Sequence, residues 1–334
     1  MTIDGYVDRL ESNSIEYVRN ADLSKLCSYG TGGRASVAVF PANSKQLICA
    51  LEGDLPYEVI GNGTNVLFSD RGYDGAIIVT SKMRGIECSG LSIVAECGTS
   101  LKTLRETAAM NSLGGLEFTE GIPATVGGAV CMNAGCFSKS IGDYVSYVVT
   151  GDGVISGSAC EFGYRSSIFT AQDGGNGQVG DRVDGEQDCA GEQVGGNAEN
   201  GGVDLRERNL NDRKKKVIVS VCFVLKPGEP DIIEGKRERF KKLRKNAQPH
   251  GKSCGSVFLN DGYFAGKVID VAGLKGYSIG GARVSEKHAN FILASDTAKS
   301  ADVYSLIKYV KKRVYETQGI ALKEEIRYIG QFDD

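Results

Sequence analysis

The chain has 334 residues, 41% apolar and 24% charged, with a formal net charge of −3. That is length enough for two or three domains and a sizeable core, in a balance ordinary for a soluble enzyme, and the small negative charge offers no general attraction to nucleic acid or to an anionic membrane. The opening residues MTIDGYVDRLESN lack an apolar stretch, and the longest apolar run, VIVSVCFVL at 217–225, falls far short of the ~20 residues of a membrane span; a cytoplasmic protein with no membrane, nucleic-acid or obligatory protein partner is expected.

In chain order, SVAVF at 36–40 alternates like a strand, 43–52 suits a short helix, and 57–60 leads as a strand into the turn GNGTN. Strands are predicted at 76–79 and 91–96. Helical spacing runs through Leu101, Leu104, Thr107 and Ala108 within 100–111. The segment LEFTEGIPATVGGAVCMNAG, 116–135, sets Ile122, Val126, Val130 and Met132 as buried apolar positions. Gly121, Gly127, Gly128 and Gly135 leave its backbone bare, so that main-chain amides can approach a ligand closely. It reads as a cofactor bed.

From about 171 to 213 the chain is rich in Gly, Asp, Asn and Gln and nearly free of large apolar residues, which predicts an insertion unable to offset the entropy of ordering it. VIVSVCFVL then resumes the fold as a strand. The stretch EGKRERFKKLRK, 234–245, is basic and helical, read first as a solvated face and second as an attractor of a diphosphate. Val303, Leu306, Ile307, Val310 and Val314 mark one face of a last helix, with Ser300 as N-cap, Asp302 in the first turn and Gly319 as the stop.

Ten cysteines are scattered without C-x-x-C spacing, which reads as reduced thiols. His250 and His288, the two histidines, lie outside any metal-ligand pattern, so no metal is expected and demanding chemistry falls to an organic cofactor. In IGNGTNVLFSDRG, Gly61, Gly63 and Val66 stand where a dinucleotide fingerprint requires three small residues, and Val66 fails the third. Alone this is an ordinary turn. Coupled with 121–135 it reads as one wall of a pyrophosphate site.

The motifs GNGTNVL, EFTEGIPATVGGAVCMNAG, GYRSSIF at 163–169, SCGSVFLN at 253–260, GLKGYSIGGARVSEKHANFI at 273–292 and GIALKEEIRYIG at 319–330 follow one another in the order of the bacterial UDP-N-acetylenolpyruvoylglucosamine reductase family, which the chain resembles outside 171–213. The resemblance implies an α+β protein: an FAD-binding domain of the vanillyl-alcohol-oxidase (PCMH) type in two subdomains, and a smaller α+β substrate-binding domain. It implies noncovalent FAD, NADPH as reductant and a UDP-sugar enolpyruvyl ether as substrate, in peptidoglycan precursor synthesis. The expected division is an N-terminal segment 1–13, an FAD-binding domain 14–226, a substrate domain 227–318 and a terminal strand 319–334 returning to the active site.

By the resemblance Arg165, Ser256 and Glu325 are catalytic. Gly61, Asn62, Gly63, Thr64, Asn65, Val66, Leu67, Gly121, Ile122, Pro123, Thr125, Gly127, Gly128, Asn133, Ala134 and Gly135 would hold the cofactor. Asn260, Lys267, Lys275, Ser285 and His288 are candidates for substrate contact, with Tyr263 beside them. Taken alone, Arg165 would be a surface ion-pair residue, Glu325 a strand-edge charge and Ser256 a turn residue. A guanidinium fork suits a carboxylate whose charge grows during reaction, and a hydroxyl held at hydrogen-bond distance suits delivery of the proton.

Ala124, Lys323, Glu324 and Asp261 depart from the family pattern, and Glu324 offers an alternative to Glu325. Strand alternation aims one of the two into the site. Were 253–258 extended, Cys254 and Ser256 would face the same side. No second dinucleotide fingerprint serves NADPH, which suits a scheme where both substrates use one cleft in turn. A related FAD oxidase of sugars or alcohols and an inactive flavin-binding protein are the rival classes.

Overall fold

The computed structural model describes residues 1–170 and 216–333; the Gly/Asp-rich segment predicted at 171–213 lies outside them. Helix α1 (Ile3–Ser12) leads into strands β1 (Glu16–Asp22) and β2 (Arg34–Phe40), helix α2 (Ser44–Leu51), and strands β3 (Tyr57–Ile60), β4 (Val66–Phe68) and β5 (Tyr73–Val79). The first sheet has the order β1-β2-β5-β3, with β1 antiparallel to β2 and with β2 and β3 both parallel to β5. From Ala76 to Val79, β5 reads as a continuous apolar run because both its faces are covered there. Ala76 and Ile78 join the main core with Tyr6, Leu10 and Leu47 of the helices, while Ile77 and Val79 pack with Ile60, Phe68 and Ile329 on the other side.

The second sheet is antiparallel throughout. It uses β6 (Ile86–Ser89) and β7 (Ser92–Glu96), then, after helices α3 (Leu101–Met110) and α4 (Val126–Cys131), strands β8 (Val145–Thr150), β9 (Gly153–Ser156) and β10 (Ile218–Val224), in the order β9-β8-β10-β7-β6. VIVSVCFVL supplies the central strand, and its Val219, Val221 and Phe223 enter the same core as the first sheet. Ser100 caps α3 by accepting the Thr103 amide, as an N-cap serine does.

Helix α5 (Pro230–Ala247) carries the mainly exposed face expected of 234–245. Its inner stripe of Ile233, Arg237, Phe240 and Arg244 recurs at helical spacing; Phe240 packs on the main core, and Arg237 and Arg244 reach residues 118–136. Opposite its solvated face the helix thus has a committed side. That side packs on the main core, although the expected boundary at 227 assigns the helix to the C-terminal domain, which it meets where Lys287 Nζ donates to Lys245 O.

Beyond it, helix α6 (Ala265–Val271), strands β11 (Ser278–Ile279), β12 (Ala282–Val284) and β13 (Ile292–Ala294), and helix α7 (Ser300–Gln318) form a small antiparallel α+β unit with its own core. Val303, Leu306, Ile307, Val310 and Val314 are all buried there, the face their spacing predicts, and Gly319 ends the helix at φ +69°. Ser300 is the first helical residue instead of the N-cap. The Asp70 carboxylate, from the β4–β5 connection, accepts the amides of Ser300 (3.0 Å) and Ala301 (2.8 Å), while Ser300 Oγ shares a buried 2.9 Å hydrogen bond with Thr31 Oγ1.

The last strand, β14 (Arg327–Ile329), lies parallel to β4 with Arg327 opposite Val66. The terminal segment therefore returns beside the 61–65 turn. Leu67, assigned to the cofactor by resemblance, is fully buried among Tyr29, Val257 and Ile326, because alternation along β4 turns it away from the turn's open side. No helix among the described residues is long and apolar enough to cross a membrane. Leu67→Ala is expected to lower the unfolding free energy by about 2–5 kcal/mol, the usual range for a core leucine; a denaturant titration showing no destabilisation would put Leu67 outside the core.

Candidate active site

Two glycine-rich segments meet. At Gly63, φ is +63° and a Cβ would overlap the Leu26 carbonyl oxygen; at Gly61 a Cβ would overlap the Thr125 hydroxyl. Glycine alone allows both the left-handed turn and the close approach of the segments. Ser28 N donates to Gly63 O (2.9 Å), and Asn62 Nδ2 donates to Pro123 O (3.0 Å), so the 61–65 turn is tied directly to the 121–128 segment.

Thr125 caps α4 through the Gly128 amide at 3.3 Å, and Gly127 lies against Cys97, where a Cβ would come within 2.9 Å of Cys97 Cβ. Val126 and Val130 are buried, as their spacing predicts, whereas Ile122 and Met132 are half-buried on the wall of a cavity of about 680 Å³. Gly61 through Val66 line this cavity, as do Gly121, Ile122, Pro123, Thr125, Gly127, Gly128, Ala134 and Gly135. Asn133 points elsewhere: its Nδ2 donates to Gly163 O (2.7 Å) and its Oδ1 accepts from Gly142 N (3.0 Å).

Arg165 sits in a two-residue turn closed by reciprocal hydrogen bonds between Gly163 and Ser166, with φ +52°. A left-handed arginine costs on the order of 1 kcal/mol, a strain that persists where surrounding structure holds it. Its Nε donates to Glu325 Oε1 at 2.7 Å, and its guanidinium lies 5.1 Å from the Tyr164 ring centroid. Glu325 is aimed by the terminal segment: its amide donates to Val257 O, its carbonyl accepts from Asn65 Nδ2, and Leu259 N donates to Lys323 O. Glu324 faces the other way and accepts from Lys311 Nζ at 2.6 Å. Alternation thus points Glu325 into the cleft and Glu324 to α7.

Ser256 also lines the cavity, in a bridge with Phe291. Gly255 has φ +78°, so 253–258 is not a regular extended strand; Cys254 and Ser256 both border the cavity, but the Cys254 thiol is turned under the 61–65 turn. Cys254 is buried and donates from Sγ to Val66 O (3.2 Å). Burial pushes its thiol pKa well up, so that it holds its proton under the turn.

A model described as "FAD binding domain" matches residues 35–156, and one described as "UDP-N-acetylenolpyruvoylglucosamine reductase, C-terminal domain" matches 247–329. The reductase of that name from Caldicellulosiruptor bescii is 37% identical, over 97% of this chain and 94% of its own length. The chain belongs to the UDP-N-acetylenolpyruvoylglucosamine reductase family. The reductase from Lactiplantibacillus plantarum is 36% identical over 95% of each chain. The crystal structure of the Thermus caldophilus reductase aligns with a TM-score of 0.71 at 29% identity, covering 95% of this chain and 99% of that one. The protein is an FAD-dependent oxidoreductase with the α+β, PCMH-type architecture that the resemblance implies.

The cavity fits FAD. Its floor includes bare backbone from two segments, and at Gly128, on the cavity wall, an added Cβ meets only the Thr125 hydroxyl, at 3.4 Å, so the space over that backbone is open. Arg327 and Glu58 form a 3.0 Å ion pair on the wall beside the 61–65 turn, and Arg244 packs against Gly121. Neither arginine figured in the sequence assignment. Arg327 was legible by alternation, two residues after Glu325, and Arg244 by the helical stripe that ends with it.

The five substrate candidates lie off this wall. Asn260 adjoins the Arg165 turn through a 3.3 Å bond from its amide to Tyr164 Oη, while its Oδ1 accepts from Ala265 N at the start of α6. Lys275 pairs with Asp270 at 2.6 Å, Lys267 is exposed on α6, and neighbouring Tyr263 donates to Ala321 O. Ser285 and His288 are spent on their own turn. Ser285 is buried and accepts the amides of Lys287 and His288; His288 stacks edge-on against Phe291, accepts the Asn290 amide at Nδ1, and has its pKa lowered by burial.

Burial raises the pKa of the Glu325 carboxyl, against the opposing pull of Arg165. A carboxyl with a higher pKa folded than unfolded binds more protons in the folded state, so its contribution to stability falls as pH rises from the ordinary glutamate range through the raised value. Thermal melts between pH 4 and pH 8 should show Glu325→Gln gaining on the parent protein as pH rises. A difference that stays flat, or that shifts in the parent's favour with rising pH, would place the carboxyl in a better-solvated setting.

Proposed function

We propose that the protein reduces the enolpyruvyl ether of UDP-N-acetylglucosamine to UDP-N-acetylmuramate in the cytoplasm, for peptidoglycan synthesis, with NADPH as the reductant. The observation that carries this reading is the convergence of Arg165, Glu325 and Ser256 on one glycine-floored cavity, from three distant stretches of a chain of this family.

When bound, FAD would supply the hydride for delivery to the terminal carbon of the substrate double bond, with NADPH as its source. That delivery leaves negative charge on the carbon beside the substrate carboxylate. Arg165 is placed to hold the carboxylate as its charge grows, since its Nε is engaged by Glu325 and its two terminal nitrogens offer a fork. Glu325 fixes that fork's orientation and limits the net positive charge beside the cofactor. Ser256 holds the proton at Oγ and gives it to the charged carbon, a role closed to Cys254, whose thiol is locked on Val66. The Gly61–Asn65 and Gly121–Gly128 backbones hold the cofactor, with Arg327 as the cation beside the first turn.

NADPH and the enolpyruvyl substrate use the same cleft in turn. Purified, FAD-loaded protein should therefore oxidise NADPH continuously under anaerobic conditions only when UDP-N-acetylglucosamine enolpyruvate is supplied. Ser256→Ala should retain reduction of the flavin by NADPH but lose about 100-fold or more in turnover, the scale of a removed general acid, whereas Cys254→Ala and Glu324→Gln retain turnover. Absence of substrate-dependent oxidation in the parent protein would end this reading, and equal defects in Ser256→Ala and Cys254→Ala would reassign the proton donor.

A further inference from the structure

We infer that Asn133 is a positioning residue for Arg165: it ties the turn that carries the guanidinium to the C-terminal end of α4, the helix that belongs to the cofactor bed. The inference deepens the proposed function and rests on its reading of Arg165 as the carboxylate anchor.

Asn133 is buried, at φ +41°, two residues beyond the end of α4. Asparagine tolerates that left-handed backbone better than most residues. Both ends of its amide are committed, Nδ2 to Gly163 O at 2.7 Å and Oδ1 to Gly142 N at 3.0 Å. The second contact depends on a missing side chain, because a Cβ at Gly142 would come within 2.8 Å of Asn133 Oδ1 and 2.6 Å of the Phe162 ring. The donated bond lands on the first residue of the turn whose second inner position is the left-handed Arg165.

A second tie acts just past the turn. Ser167 is buried, its Oγ donates to Cys131 O at 2.6 Å, and the same oxygen accepts the Phe169 amide. The last helical residue of α4 and the residue two beyond it thus grip the 163–169 segment on either side of Arg165. The other end of α4 carries Thr125, Gly127 and Gly128 on the cavity wall. One short helix therefore sets both the cofactor floor and the position from which Arg165 reaches Glu325. This coupling stands in place of the cofactor contact expected of Asn133, since the residue is off the cavity wall and each end of its side-chain amide is engaged in holding the turn.

The test uses Asn133→Gly, which keeps the left-handed backbone without strain and removes both amide bonds, and Ser167→Ala, which releases the other tie should the first variant fail to fold. In the FAD-loaded protein, carboxyl NMR of ¹³C-glutamate follows Glu325, assigned by its loss in Glu325→Gln; stopped-flow absorbance follows each half-reaction. Loosening Arg165 should move the Glu325 titration upward from the parent's. Reoxidation of the reduced protein by the enolpyruvyl substrate should slow by about 100-fold, the scale of a misplaced catalytic group, with bound FAD and reduction by NADPH unchanged and no further loss on an Arg165→Lys background. An unchanged Glu325 titration overturns the inference, as does loss of FAD with slowed reduction by NADPH, which would make Asn133 part of the cofactor bed. Should the parent protein not react with the enolpyruvyl substrate, the proposed function fails and the titration still decides whether Asn133 positions Arg165.

Discussion

The ion pair between Arg165 and Glu325 joins residues 160 positions apart, in a cleft where their side chains keep 21% and 13% exposure. A pair so poorly solvated is weak support for stability, since removing charges from water offsets most of what their attraction returns. The raised Glu325 pKa expresses that balance, with burial outweighing the guanidinium. Its use lies in what it holds in place: a cation beside a cavity floored by bare backbone, with its fork oriented and its charge partly matched.

Much of the remaining structure serves to bring those two groups together. Glu325 reaches the cleft because β14 pairs with β4 and because Asn65, in the 61–65 turn, donates to the Glu325 carbonyl. The Ser69–Gly72 connection holds the return from below: the Ser69 amide donates to Ile329 O, while Asp70 caps α7 from across the domain boundary. The small C-terminal unit is thereby fixed to the first sheet. Ser256 and Glu325, on adjacent segments of that unit, arrive at the cavity in one register.

Features governed by local periodicity were legible in the chain. The buried face of α7, the central strand at 218–224 and the meeting of two glycine-rich segments follow from spacing and from backbone freedom. Features decided by distant partners were not. Ser300 lost its capping role to Asp70, 230 residues away in sequence. Leu67 stands within a ligand-binding motif yet faces a core assembled mainly from residues beyond 250. Cys254 and Ser256 are separated by the left-handed Gly255, which breaks the alternation that would have aligned them. Asn133 lies in a cofactor motif but spends its amide on Gly163 and Gly142, and no spacing rule relates those three positions. The choice between Glu324 and Glu325 sits between these cases. Alternation says that the two diverge, and only the tertiary partners Lys311 and Arg165 say which goes where.

The central claim is that Arg165 and Glu325 act as one unit on the substrate carboxylate. It is tested most directly by a double-mutant cycle on anaerobic reoxidation of the reduced protein by UDP-N-acetylglucosamine enolpyruvate, using Arg165→Lys, Glu325→Gln and the double variant. Residues that act as a unit give non-additive losses, so the double variant should be no slower than the slower single variant. Losses that add in free energy would show two independent contributions and contradict the account.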